Sequence, residues 1–224
     1  MMYTKGTSFK IGRQITQHLL CEKCELRFSK NGEDYFAKVA MPTAGQDIPP
    51  FLFRILRLSL IPLWNKMGAV RLSLGSGLYP EINSHALYYY ALSMFWRGGV
   101  PGWSNYQQIE YENGLMDAMK DFLLNGNYIE NYFIRVIPSF WTDRYSFVMP
   151  RYRKGIPFFN AYMFDFYLEK DCKFSSNREN KSKTPIIYTA DSVESVQSHL
   201  EITTAINASK RSKNLQTAKN LISW

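Results

Sequence analysis

The sequence predicts an α+β fold in which an antiparallel sheet packs against a central apolar helix, flanked by N- and C-terminal helices. Three observations carry this. The run from His85 to Trp96 is apolar nearly all round, which places it in the middle of a core. Strand-like segments at Tyr132–Phe140, Tyr145–Tyr152 and Phe158–Leu168 follow at hairpin spacing and suit a meander. With 224 residues, 46% of them hydrophobic, the chain can bury one large core, as one domain or as a domain with an appendage.

Met1–Gln14 reads as irregular. Cys21 and Cys24 introduce a helix whose apolar face, Leu26, Phe28, Tyr35, Phe36 and Val39, is imperfect. Pro42 to Pro50 is a linker or long turn. Phe51–Trp64 reads as a partly buried helix with Arg54 and Arg57 on one face. Alternation at Val70, Leu72 and Leu74 predicts a short strand ending at Gly75-Ser76-Gly77.

Asn83 or Ser84 caps the apolar helix, which stops at Gly98-Gly99. A second helix is expected over Ile109–Leu124, ended by Asn125-Gly126. In the last strand candidate, Phe158, Tyr162, Phe164, Phe166 and Leu168 are expected on one face and Ala161, Met163 and Asp165 on the other. A polar connector runs from Glu169 to Lys183, and Ile186–Thr189 is a further strand candidate. Asp191 and Glu194 have capping-box spacing ahead of a closing helix, which carries the basic segment Lys210 to Lys213. The expected organisation is an N-terminal segment (1–45), an α+β core (46–168), and a connector with a basic C-terminal helix (169–224).

The formal net charge is +8. Residues 1–60 carry nine Lys/Arg against five Asp/Glu, 169–224 nine against six, and 61–168 nine against eight. An excess at the two ends favours an anionic partner such as DNA or RNA. Met1–Thr16 holds Lys5, Lys10 and Arg13 without an apolar segment, so no signal peptide is read. The greasiest runs, Phe51–Trp64 and Leu87–Trp96, are too short to span a bilayer. Three cysteines in a chain of this length do not make a disulfide framework. The expectation is a cytoplasmic protein without a transmembrane segment.

Cys21-Glu22-Lys23-Cys24 is the one motif with specific chemistry, because two thiolates at this spacing can share a Zn²⁺. His18 and Cys172 are candidate additional ligands. The pair reads as a zinc site completed within the chain, as half of such a site, or as two reduced structural thiols. The polar lead-in Thr16-Gln17-His18 argues against a thioredoxin-like redox motif, which needs a preceding strand. The other histidines, His85 and His199, are isolated, and no phosphate loop, dinucleotide fingerprint or nucleophile elbow is present. Glu110, Glu112, Asp117 and Asp121 read as the solvated face of a helix. Arg144, Tyr145, Arg151, Tyr152, Arg153 and Lys154 combine cations with rings, a pattern that pairs with phosphates and stacks on bases and that also suits a polar sheet edge. Arg13, Lys23, Arg27 and Lys30, around the cysteines, join them as candidate nucleic-acid contacts.

Residues Ile15 to Glu33, centred on Leu19-Leu20-Cys21-Glu22-Lys23-Cys24-Glu25, resemble the second cysteine pair of a set of uncharacterised bacterial HNH-endonuclease-like proteins. Ala91 to Arg97 resembles their Leu-Ser-Leu-Leu-Trp-Arg helix, and Phe158 to Phe166 their late aromatic strand. Members of that set carry, upstream, another Cys-x-x-Cys and a Ser-His-Ile-Ile-Pro segment. That arrangement resembles a treble-clef unit with four cysteines on structural zinc and the histidine near a catalytic metal. This chain starts too late to contain either element, and Ser84-His85 opens the apolar helix instead.

The resemblance therefore implies that Cys21 and Cys24 are half a zinc site, and it carries over no catalytic residue. It implies a nucleic-acid-associated protein, catalytically incomplete through truncation, splitting or degeneration, in phage defence or mobile-element biology. Two other expectations compete with it. One is a protein-interaction or structural component without nucleic-acid binding. The other is a nuclease completed by a partner polypeptide that supplies the missing HNH half.

Overall fold

The computed structural model describes residues 2–4, 7–9, 20–41, 49–56, 73–75, 79–103, 106–112, 114–138, 147–170 and 184–189. The expected helices over 57–64 and beyond 190, the alternating positions Val70 and Leu72, and the basic segment at 210–213 lie outside them.

The architecture is α+β. Two three-residue strands, β1 (Met2–Thr4) and β2 (Thr7–Phe9), pair antiparallel where an irregular segment was expected. Tyr, Thr and Phe suit strands, but runs of three fall below the length at which alternation can be read. Helix α1 (Glu22–Phe28) runs through a π-helical turn (Ser29–Glu33) into α2 (Asp34–Ala40), and a short helix α3 covers 51–56. β3 (Ser73–Gly75) precedes α4 (Ser84–Gly99) and α5 (Leu115–Asn125). Then come β4 (Tyr132–Pro138), β5 (Phe147–Arg153), β6 (Ile156–Ala161), β7 (Phe164–Lys170) and β8 (Ile186–Thr189).

β3 to β8 form one sheet in the order β3-β8-β4-β7-β6-β5. All neighbours are antiparallel except β4 and β8, which run parallel, so the sheet is mixed. Strand β8 enters between β3 and β4 after the polar connector, a placement that no local pattern encodes.

Helix α4 sits at the centre as expected. Asn83 caps it, its side-chain oxygen accepting from the Ala86 amide at 3.1 Å. Leu87, Ala91 and Phe95 are fully buried, and so are Tyr88 and Leu92. Each side of the helix meets a different element. Phe95 and Tyr90 meet Phe159 and Phe166 of the sheet, with ring centroids 5.0 and 5.9 Å apart. Tyr88 meets Phe122 of α5 edge-on at 4.9 Å. Phe36 of α2 stacks on Tyr90 at 3.8 Å. No helix among the described residues is long and apolar enough to cross a membrane.

The π-helical turn accounts for the imperfect apolar face of the first helix. Residues four apart on an α-helix run about 40° ahead of a full turn. A wider turn cancels that drift and keeps Phe28, Gly32, Phe36 and Ala40, all buried, on the side facing the core, while Leu26 is 52% exposed. Gly32 lies directly against α4: a Cβ there would fall 2.7 Å from the Tyr90 amide nitrogen and 2.9 Å from its Cα.

Three expectations need correction. The helix expected from Ile109 starts at Leu115, because Gly114 is left-handed (φ 83°) and breaks the spiral before it; its end at left-handed Gly126 is as expected. Glu110 and Glu112 are therefore not on a helix. The run Phe158–Leu168 is not one strand but the hairpin β6–β7, turned at Tyr162-Met163 with Tyr162 at φ 55°. Ala161 pairs directly with Phe164, so Phe159, Ala161, Phe164, Phe166 and Leu168 share the face toward α4. Phe158 lies on the opposite face, packed on Tyr167.

That opposite face is buried too, and beside a small apolar cluster of Ile137, Val148, Phe158 and Tyr167 it holds polar groups. Arg135, 3% exposed, pairs with Glu169 and lies over the Tyr167 ring at 4.3 Å. Arg153, 5% exposed, donates to the Tyr167 hydroxyl at 2.5 Å. Asn160 donates to Asp165 at 2.7 Å, both fully buried. Charges are tolerated in such a layer because each has a hydrogen-bonding partner.

Gly32→Ala should destabilise the fold by about 1–3 kcal/mol, the usual range for overpacking. The clash falls on backbone rather than on a side chain that can swing away. Urea unfolding followed by tryptophan fluorescence measures it, and an unchanged midpoint would contradict the close approach of α1–α2 to α4.

Candidate metal centre

Cys21 occupies the N-cap of α1 with extended backbone (φ −73°, ψ 160°), and its carbonyl accepts from the amides of Cys24 (2.9 Å) and Glu25 (3.0 Å). Cys24 is then one turn along, on the same side of the helix. Both thiols are free, Cys21 exposed and Cys24 half-buried.

The two thiols act on one another, and this splits their acidities. Cys24, with the amides of Cys24, Lys23 and Cys21, lowers the Cys21 pKa. Cys24 is raised, first by Cys21, then by burial; Arg27 opposes the rise.

The helix that carries the pair is held at both edges. Arg27 donates to the Leu124 carbonyl at 2.9 Å, at the end of α5. Arg97, in the last turn of α4, pairs with Glu33, approaches Glu25 at 3.7 Å and lies 5.2 Å from the centre of the Phe28 ring. In the sequence Arg97 stands only as the last residue of the segment that resembles the Leu-Ser-Leu-Leu-Trp-Arg helix. Its role shows through the positions of Glu25, Phe28 and Glu33, which come from a distant part of the chain.

Two thiolates on one side of a helical turn fit two of the four positions of a tetrahedral Zn²⁺. Among the described residues no group of three His, Cys, Asp or Glu comes together that could hold a metal. His18 and Cys172, the candidate additional ligands, lie outside the described residues.

The candidate nucleic-acid contacts separate into groups. Lys23 and Lys30 are exposed on α1 and its π-helical continuation, and Arg27 is exposed while bonded to α5. Arg151 and Lys154 belong to the β5–β6 hairpin, Lys154 at its turn with φ 50°. Helix α4 packs against both α1 and β5. Arg153 does not belong to a surface: strand alternation puts it with Phe158 and Tyr167 on the buried polar face, so it is corrected from contact residue to interior residue. Arg13 and Arg144 lie outside the described residues.

Other polar groups are structural. His85 Nδ1 lies 2.8 Å from the Tyr128 hydroxyl, itself 3.2 Å from Thr184 Oγ1, which ties the start of α4 to the approach to β8. A groove of about 460 Å³ between α5 and the sheet is lined by Glu112, Asp121, Tyr132 and Lys170. Lys170 (2.8 Å) and Tyr132 (3.1 Å) satisfy Glu112 and lower its pKa, while Asn125 and Asn127 satisfy Asp121.

Alkylation should discriminate the two cysteines. The iodoacetamide reaction of Cys21 should rise at a lower pH than that of an ordinary thiol, and that of Cys24 at a higher pH. Cys24→Ser should shift the Cys21 profile upward. Mass spectrometry of the labelled chain at a series of pH values reads this, and identical profiles would rule out the opposite shifts of the two thiols. In comparisons with known proteins, no family model, no curated protein and no solved structure matches this chain.

Proposed function

We propose that this chain is a nucleic-acid-associated, HNH-endonuclease-like protein that is catalytically incomplete as it stands, with Cys21 and Cys24 forming half of a structural zinc site. The observation that carries this reading is the free dithiol at the start of α1, held on the molecule's edge by Arg27 and Arg97. A helix docked through both edges presents the pair in a fixed orientation, as a structural metal requires. When bound, zinc would supply a cross-link between this helix and whatever contributes the remaining ligands.

The charge distribution supports an anionic partner. The described residues hold twelve Lys/Arg and twelve Asp/Glu, so the whole excess of +8 belongs to the remainder of the chain. Lys23, Lys30 and Lys154 offer local contacts on a body that is neutral as a whole. That neutrality also favours a second reading, a protein-interaction component without nucleic-acid binding.

Salt dependence separates the two. Phosphate contacts release counterions, so log K for duplex DNA should fall against log[salt] with a slope of about −0.9 per contact. Replacing Lys23 and Lys30 with Gln should reduce that slope by about one unit per lysine. No binding, or a flat slope, would favour the interaction reading. The purified chain should leave plasmid DNA intact with Mg²⁺, Mn²⁺ or Ni²⁺, because no metal-plus-base constellation comes together among the described residues. Cleavage that one point substitution abolishes would overturn the claim of incompleteness.

A further inference from the structure

We propose that a second copy of this chain completes the Cys21/Cys24 metal site, two dithiols across a two-fold axis holding one Zn²⁺ between four sulfurs. The inference rests on the half-site reading and goes further by naming what supplies the other half.

Coordination number is the first argument. A structural zinc takes four ligands, and this helix presents two thiols on one side of its first turn. A two-fold axis through the ion repeats the same two ligands and closes the tetrahedron. Such an interface must be self-complementary, since one surface patch meets itself.

The patch around the pair meets that condition. Glu22 and Lys23 lie between the cysteines, both are exposed, and neither makes an ion pair among the described residues. Because the patch carries both signs, a two-fold axis can set Glu22 of one copy against Lys23 of the other, where a patch of one sign would repel itself. Four thiolates on Zn²⁺ leave two negative charges at the ion. Arg27 stands one turn beyond Cys24 on the same side of α1, and its bond to the Leu124 carbonyl fixes it there. The second copy doubles that cation, so the charge of the cluster is matched by one arginine from each chain.

The test uses the full chain in reducing buffer, with zinc chloride titrated in and metal content and mass followed by native mass spectrometry and sedimentation. The expected result is one zinc per two chains, a doubling of mass on zinc addition, and return to monomer with a chelator. Co²⁺ in place of zinc should show the thiolate charge-transfer absorption of four sulfurs per metal, about twice that of two. Cys21→Ser should stay monomeric with an unchanged circular dichroism spectrum. Glu22→Lys or Lys23→Glu alone should weaken the zinc-dependent dimer about tenfold, and the double exchange should restore it. If the serine variant fails to fold, the chelator reversal and cobalt spectrum of the unaltered chain still decide. One zinc per single chain, or a dimer indifferent to metal, would overturn the proposal. Failure to bind zinc at all would remove the half-site reading with it, whereas a zinc-linked dimer that ignores DNA would remove only the nucleic-acid association.

Discussion

Helix α4 has almost no side free for water, and the arrangement of its neighbours follows from that. A helix apolar all round must be covered on every side, and burying each large side chain contributes about 1.5–3 kcal/mol. Here the sheet supplies Phe159 and Phe166, α5 supplies Phe122, and the α1–α2 helix supplies Phe28 and Phe36. Gly32 and the π-helical turn let the α1–α2 cover approach α4 backbone to backbone. The position of the cysteines is a consequence of this packing, since α1 is carried to the end of α4 by the rings that bury it and locked there by Arg97.

The sheet obeys a different constraint on its second face. Arg135, Arg153, Asn160, Asp165 and Glu169 come from four strands and pair with one another or with Tyr167 there. A hydrophobic layer could supply comparable stability, because removing charges from water costs much of what their pairing returns. What the polar layer adds is register: Arg135 meets Glu169 and Asn160 meets Asp165 only when β4, β7 and β6 pair as they do. A slip of one residue would carry these charges to the apolar side.

Electrostatics divide the chain in another way. The described body is neutral, and on α1 the exposed Lys23 and Arg27 alternate with Glu22 and Glu25. The excess charge therefore lies with the rest of the chain, while the described body carries the dithiol. The dithiol and the excess charge are separate properties of separate residues.

Local signals were sufficient for much of this structure. The apolar run with its Asn83 cap, the Asn125-Gly126 stop and the strand at Ile186–Thr189 depend on residues within a turn or a strand of each other, and all were legible. The spacing of Cys21 and Cys24 likewise announced a dithiol, because two thiols one turn apart must share a side of a helix. Long-range contacts decided the rest. Nothing near Ile186 says that its strand will run parallel to β4, and nothing near Arg153 says that its face of the sheet will be buried. The hairpin at Tyr162-Met163 was hidden because an unbroken aromatic run scores as one strand until the chain is seen to fold back. Arg97 acquired its place beside the helix that carries the dithiol only when α1 docked on α4. Sequence periodicity reports which side of an element is apolar; which partner covers that side is a property of the whole packed chain.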